Sequence, residues 1–119
     1  MFPKPNRLLH EAFTRVFRIG RRFNNENISI IVAPNTLVIC HFAVQVGVKI
    51  DKRATQRNRM KRLIREAIRK LLPDIKNGFD IVIIAQKNFS EKKEQEIEAV
   101  LLDLFRKNNL FYSQSNTSG

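Results

Sequence analysis

Seven residues at helical spacing carry the strongest chemical signal in this chain: Arg57, Asn58, Arg59, Lys61, Arg62, Arg65 and Arg69. A guanidinium is a planar fork of donors that grips two phosphate oxygens at once and stacks on a base. Asn58, between two arginines, adds a neutral donor and acceptor suited to a base edge or a 2′-hydroxyl. Residues 49–70 hold ten Lys or Arg against two acids, a net of +8 in a chain whose total is +11. A solvated helix face usually mixes signs, with Glu four residues ahead of Lys or Arg. Here Glu66 is the only acid between residues 57 and 70. Like charges this dense cost stability unless an anion neutralises them, so the surface reads as a contact for nucleic acid. Lys52 and Arg53 extend it toward the N-terminus.

A second grouping joins Phe13 and Phe17, four residues apart, to Arg15, Arg18, Arg21 and Arg22. Either ring could simply be core. Aromatic rings interleaved with cations are also what single-stranded nucleic acid uses, because every base has a face to stack. Other groups do not assemble into an active site. His10 and His41 are separated by a whole strand, and Asp51, Asp74 and Asp80 form no pattern that would hold Mg²⁺. One cysteine, Cys40, excludes an internal disulfide and a cysteine-rich zinc site. With four glycines in all, there is no Gly-rich phosphate loop. The residues therefore describe an RNA- or DNA-binding protein with no catalytic centre, metal site or bound cofactor of its own.

The elements that position these groups follow from periodicity. Residues 6–19 read as a helix, with Leu9, Ala12, Phe13, Val16 and Phe17 on one face and Gly20 as its stop. Residues 28–33 read as a strand ended by Pro34-Asn35, and residues 37–49 as a long strand. In the long strand Val38, Cys40, Phe42, Val44, Val46 and Val48 share one face. The basic helix carries a core stripe of Met60, Leu63, Ile64, Ala67, Ile68 and Leu71, and Pro73 ends it. Residues 80–85 read as a buried strand, and a last helix starts at the cap candidate Ser90. Strand, helix, strand implies a parallel crossover, for which the general rule is right-handed. The fold class is α/β, a mixed sheet with helices packed on it.

At 119 residues and 43% hydrophobic content, this is one domain with one core. Residues 1–112 read as that domain and 113–119, polar and Gly-ended, as a disordered tail. No long uncharged apolar run predicts a membrane span, and the N-terminus lacks a signal-peptide block. The single cysteine suits a reducing cytoplasm.

Three segments resemble the bacterial ribonuclease P protein component. Arg57-Asn58-Arg59-Met60-Lys61-Arg62-Leu63-Ile64-Arg65-Glu66-Ala67 is similar to that family's RNR signature. The run from Phe13 to Phe23 resembles its first-helix pattern, and Phe79-Asp80-Ile81-Val82-Ile83-Ile84-Ala85 its strand after the RNR helix. The likeness covers residues 6–111 in the family's order.

The resemblance implies a single-domain α/β sandwich with three helices and a left-handed crossover, against the general rule. It also implies the small subunit of a ribonucleoprotein that hydrolytically removes the 5′ leader of precursor tRNA and leaves a 5′-phosphate. Catalysis would belong to the RNA subunit and Mg²⁺ held mainly by that RNA, with one protein per RNA. Lys52, Arg53, Arg57, Asn58, Arg59, Lys61, Arg62, Arg65 and Arg69 would meet the catalytic RNA. Phe13, Phe17, Arg18, Val46 and Lys49 would line the leader groove. The chain departs from the family at Gly47-Val48-Lys49, which keeps one of two usual lysines, and at Asp51-Lys52-Arg53, which lacks the usual loop glycine. A ribosomal-type structural RNA binder is the alternative reading.

Overall fold

The computed structural model describes residues 8, 10–36 and 39–111. Helix α1 (His10–Ile19) leads into strands β1 (Arg21–Asn24), β2 (Ile28–Pro34) and β3 (His41–Gln45). Helix α2 (Ala54–Leu71), strand β4 (Phe79–Ala85) and helix α3 (Glu94–Lys107) follow. The sheet order is β1-β2-β4-β3. The β1–β2 and β2–β4 pairs are antiparallel, and β3 runs parallel to β4. The parallel pair needs a crossover, and α2 provides it.

Both central strands are covered on both faces, which explains their near-continuous apolar sequences. Alternate residues serve two cores. Ile28, Ile30, Val32, Ile81 and Ile83 face α2 and α3, whose stripes of Met60, Ile64, Ile68, Ile97, Leu101 and Phe105 complete the main core. Ile31, Ala33 and Val82 point the other way and pack with Val16 of α1 in a smaller core. Gly20 lets α1 sit this close to the sheet. A Cβ there would lie 2.5 Å from the Val16 carbonyl oxygen and 2.6 Å from Ile31 Cγ2.

Several elements depart from expectation. Helix α1 starts at His10, because Leu8 is already outside it and its N–H donates to the Phe42 carbonyl at 2.9 Å. Strand β1, Arg-Arg-Phe-Asn, escaped the sequence reading because two arginines mask its alternation. The long strand shrinks to five residues. Its apolar alternation overruns the sheet: residues 48–50 turn back, with Ile50 N–H on the Gly47 carbonyl, and Val48 is left 61% exposed. Residues 37 and 38 lie outside the described residues, as does the tail at 113–119. Helix α2 begins at Ala54, one turn before the arginine run, and a 3-10 turn at Leu72–Asp74 containing Pro73 follows it. Helix α3 starts at Glu94 rather than near Ser90. Ser90 is buried and bonded to Asn88, while Glu96 accepts the Lys93 N–H at 2.9 Å, closing the helix start.

Candidate nucleic-acid interface

At 100° per residue, α2 divides into three stripes. The core stripe is buried. A flank carrying Arg59, Glu66 and Lys70 turns toward α3 and its preceding loop. There the Arg59 Nε donates to the Ser90 carbonyl, and Lys70 Nζ donates to Glu94 Oε1 at 2.7 Å. That bond, before the nearby Glu98 charge, raises the Lys70 ammonium above its ordinary value. The third stripe, Asn58, Lys61, Arg62, Arg65 and Arg69, faces away from the core.

This outer stripe is less uniform than its sequence. Arg69 pairs with Glu66 at 2.8 Å, and the bond holds the Glu66 carboxyl below its usual range. Asn58, Lys61, Arg62 and Arg65 have no side-chain hydrogen bond or ion pair among the described residues. Arg62 borders a small hollow with Glu66 and Glu94 but bonds to neither.

The turn before α2 is built around Asp51. Its buried carboxylate accepts the Arg53 N–H at 2.8 Å, Arg53 Nη2 at 2.8 Å and Asn88 Nδ2 at 2.8 Å. The Arg53 side chain is the largest influence holding this carboxyl well below the usual range, followed by the Arg53 N–H. Arg57 Nη1 donates to the Asp51 and Lys52 carbonyls at 3.0 and 2.9 Å. An acid thus organises the turn at the departure noted in Asp51-Lys52-Arg53. Arg53 is neutralised by it, whereas the Lys52 side chain has no partner among the described residues, and the residue is exposed.

On the opposite sheet face, Phe13 and Phe17 stack at a tilt with ring centroids 5.0 Å apart. Phe13 is half-buried against the smaller core beside Ala43 and Ile84, and Phe17 is 41% exposed. One ring therefore supports α1, and the other is presented to solvent. Arg18 is exposed on the same helix. The register keeps Arg22 with these rings and adds Asn24, which the sequence did not single out. Arg22 lies opposite Ile31, and Asn24 opposite Ser29, so both occupy the α1 face. Ser29 Oγ is buried there with no hydrogen-bond partner among the described residues.

One candidate falls elsewhere. Val46 is buried in the main core on the α2 side, across the sheet from Phe13, so it does not line the α1 face. Lys49 is exposed in the turn after β3. Arg15 is also committed: it donates to the Pro34 carbonyl and pairs with Asp80 at 3.4 Å. Asp80 further receives Asn35 Nδ2 at 2.7 Å and sits 2.9 Å from His41 Nδ1. This cluster ties α1, β3 and β4 together. Cys40 is buried, and burial pushes its thiol up to about 12. Among the described residues no three His, Cys, Asp or Glu side chains are grouped to hold a metal ion. No described helix is long and apolar enough to cross a membrane.

A mixed α/β sheet with a cationic helix on one side and an exposed ring beside basic residues on the other defines a nucleic-acid-binding domain. The chain belongs to the ribonuclease P protein family, whose model, Ribonuclease P, matches residues 2–109. It is 34% identical over 103 residues to a ribonuclease P protein component of Clostridium botulinum, covering 86% of this chain and 92% of the relative. A Picosynechococcus protein of the same description is 36% identical over 105 residues, covering 87% and 88%. The structure of the RNase P protein from Thermotoga maritima superposes with a TM-score of 0.76 at 30% identity, covering 85% of this chain and 96% of that one. A Staphylococcus aureus RNase P protein mutant shares the fold, with a TM-score of 0.81 at 24% identity and coverage of 91% and 92%.

Proposed function

We propose that this chain is the protein subunit that enables an RNase P RNA to remove the 5′ leader of precursor tRNA at low Mg²⁺. Family membership makes it a ribonuclease P protein component, and thus a partner of RNase P RNA in tRNA processing. The finer assignment rests on the division of charge along α2. Lys52, Lys61, Arg62 and Arg65 are uncompensated, and Arg57 and Arg59 contact only neutral carbonyls, so six cations at or near one helix lack an acidic partner. In this reading they neutralise phosphates of the catalytic RNA, with Asn58 reading a 2′-hydroxyl or base edge.

The face beside α1 takes the single-stranded leader. Phe17 stacks on a base, Phe13 supports it, and Arg18 and Arg22 hold backbone phosphates. Mg²⁺, held mainly by the RNA in the holoenzyme, would supply Lewis-acid chemistry for the hydrolysis. The protein's own buried carboxylates, Asp51 and Asp80, are already bonded to protein donors. The protein's part is then to position the leader and offset phosphate repulsion. It acts in the cytoplasm as one copy per RNA.

The test compares the reconstituted complex's affinity for precursor tRNA with that for mature tRNA. Wild type prefers the precursor, and Phe17→Ala removes on the order of 1–3 kcal/mol of that preference, the worth of one stacked base. An unchanged preference would favour a structural RNA binder with no leader groove.

A further inference from the structure

We propose that a second cleft, at the β1 edge of the sheet between the C-terminal end of α1 and the turn after α3, binds one nucleoside monophosphate unit. This site does not rest on the assignment of either surface described above, although Arg21 was grouped in sequence with Phe13 and Phe17.

The cleft lies along β1, an edge strand of the sheet. Arg21 lies opposite Val32, and Phe23 opposite Ile30, so these two β1 side chains share the main-core face while Arg22 and Asn24 take the other. At the end of the sheet Pro34 pairs with Phe79. The opposing wall is the turn after α3. Asn109 adopts a left-handed conformation with φ 59°, and the Lys76 N–H donates to the Leu110 carbonyl at 2.7 Å. Between these walls lies a cleft of about 580 Å³. That size is within the range that encloses a small organic ligand.

Its lining has the three parts a nucleotide needs. Phe23 and Phe79, both half-buried, offer ring surface for a base. Arg21 and Lys76 border the cleft, and neither side chain has a hydrogen bond or ion pair among the described residues. No acid lines the cleft, so its charge complements a phosphate. Asn109, exposed on the rim, supplies an amide for a base edge. The same unit could arrive as a free nucleotide or as one residue of an RNA strand.

The test is a ¹⁵N NMR titration of the full chain with AMP, with adenosine and with a five-residue oligoadenylate. The amides of Phe23, Phe79, Lys76 and Asn109 are expected to shift saturably. A response to AMP identifies the free nucleotide as sufficient, and a response to the oligonucleotide alone identifies the strand. Adenosine, lacking phosphate, should bind about tenfold or more weakly than AMP, as loss of charge-assisted contacts implies. The Arg21→Gln/Lys76→Gln double variant, whose own spectrum reports folding, should show the same weakening. Unmoved cleft amides, or an unchanged response in the double variant, would overturn the proposal. So would cleft shifts on deleting residues 113–119 with no nucleotide response, which would assign the cleft to the chain's own C-terminal segment.

Discussion

Salt dependence separates the arginines that meet RNA from those that hold the protein together. Six cations without an acidic partner predict a slope of log affinity against log salt of about −4 to −5, at roughly 0.7–0.9 per neutralised phosphate. Affinity for RNase P RNA should then fall roughly 300- to 1,000-fold between 50 and 200 mM salt. Arg62→Ala removes a cation with no protein partner and should flatten the slope by about 0.7–0.9. Glu66→Gln acts the other way. It releases Arg69 from its 2.8 Å ion pair and should steepen the slope by a similar amount of about 0.7–0.9 while tightening binding. Lys70→Ala is the control, because its ammonium is bonded to Glu94 on the α3 side. Filter binding over a salt series, with each variant's fold checked by circular dichroism, measures all three. An unchanged slope in Arg62→Ala, or a change in Lys70→Ala as large as that in Arg62→Ala, would refute the division of labour along α2.

Three further outcomes follow from the surrounding structure. The depressed Asp51 carboxyl contributes stability that is fully present above about pH 4 and lost as pH falls through its lowered value. The stability gap between wild type and Asp51→Asn, read from urea midpoints, should therefore be constant from neutral pH to about pH 4 and narrow below it; a gap that widens in acid would contradict the clamp. Cys40, buried with its thiol raised to about 12, should resist iodoacetamide at pH 8 in the native protein and react promptly in denaturant. Rapid native labelling would show that this part of the sheet opens. Gly20→Ala puts a Cβ against Val16 and Ile31 and should cost about 1–3 kcal/mol in chemical denaturation. A neutral result would mean α1 is free to lift from the sheet.

Much of this architecture is legible in the sequence where one physical rule dominates. The stripe from Met60 to Leu71 and the run from Ile81 to Ala85 were readable because burial on a helix or between two layers leaves an unmistakable period. Strand β1 was not, since an exposed edge strand needs no alternation and two arginines hide it. Val46 lies on the face its alternation with Cys40 and Phe42 gives it, and only its placement in a leader groove, implied by the family resemblance, departs from the structure. The pairing of Arg53 with Asp51, across a turn, and of Arg59 with the Ser90 carbonyl, across two elements, depends on tertiary placement. One hint was available: Glu66 and Lys70, four apart on one flank, are an opposite-charge pair of the kind that marks a structural contact.

The most direct test of the account is cleavage of precursor tRNA at low Mg²⁺ by a bacterial RNase P RNA, with and without this chain. The account predicts cleavage at the mature 5′ end only when both are present, and none by the protein alone. Cleavage by the protein alone would place an active site in the chain. Absence of stimulation despite tight RNA binding would contradict its assignment as the functional subunit.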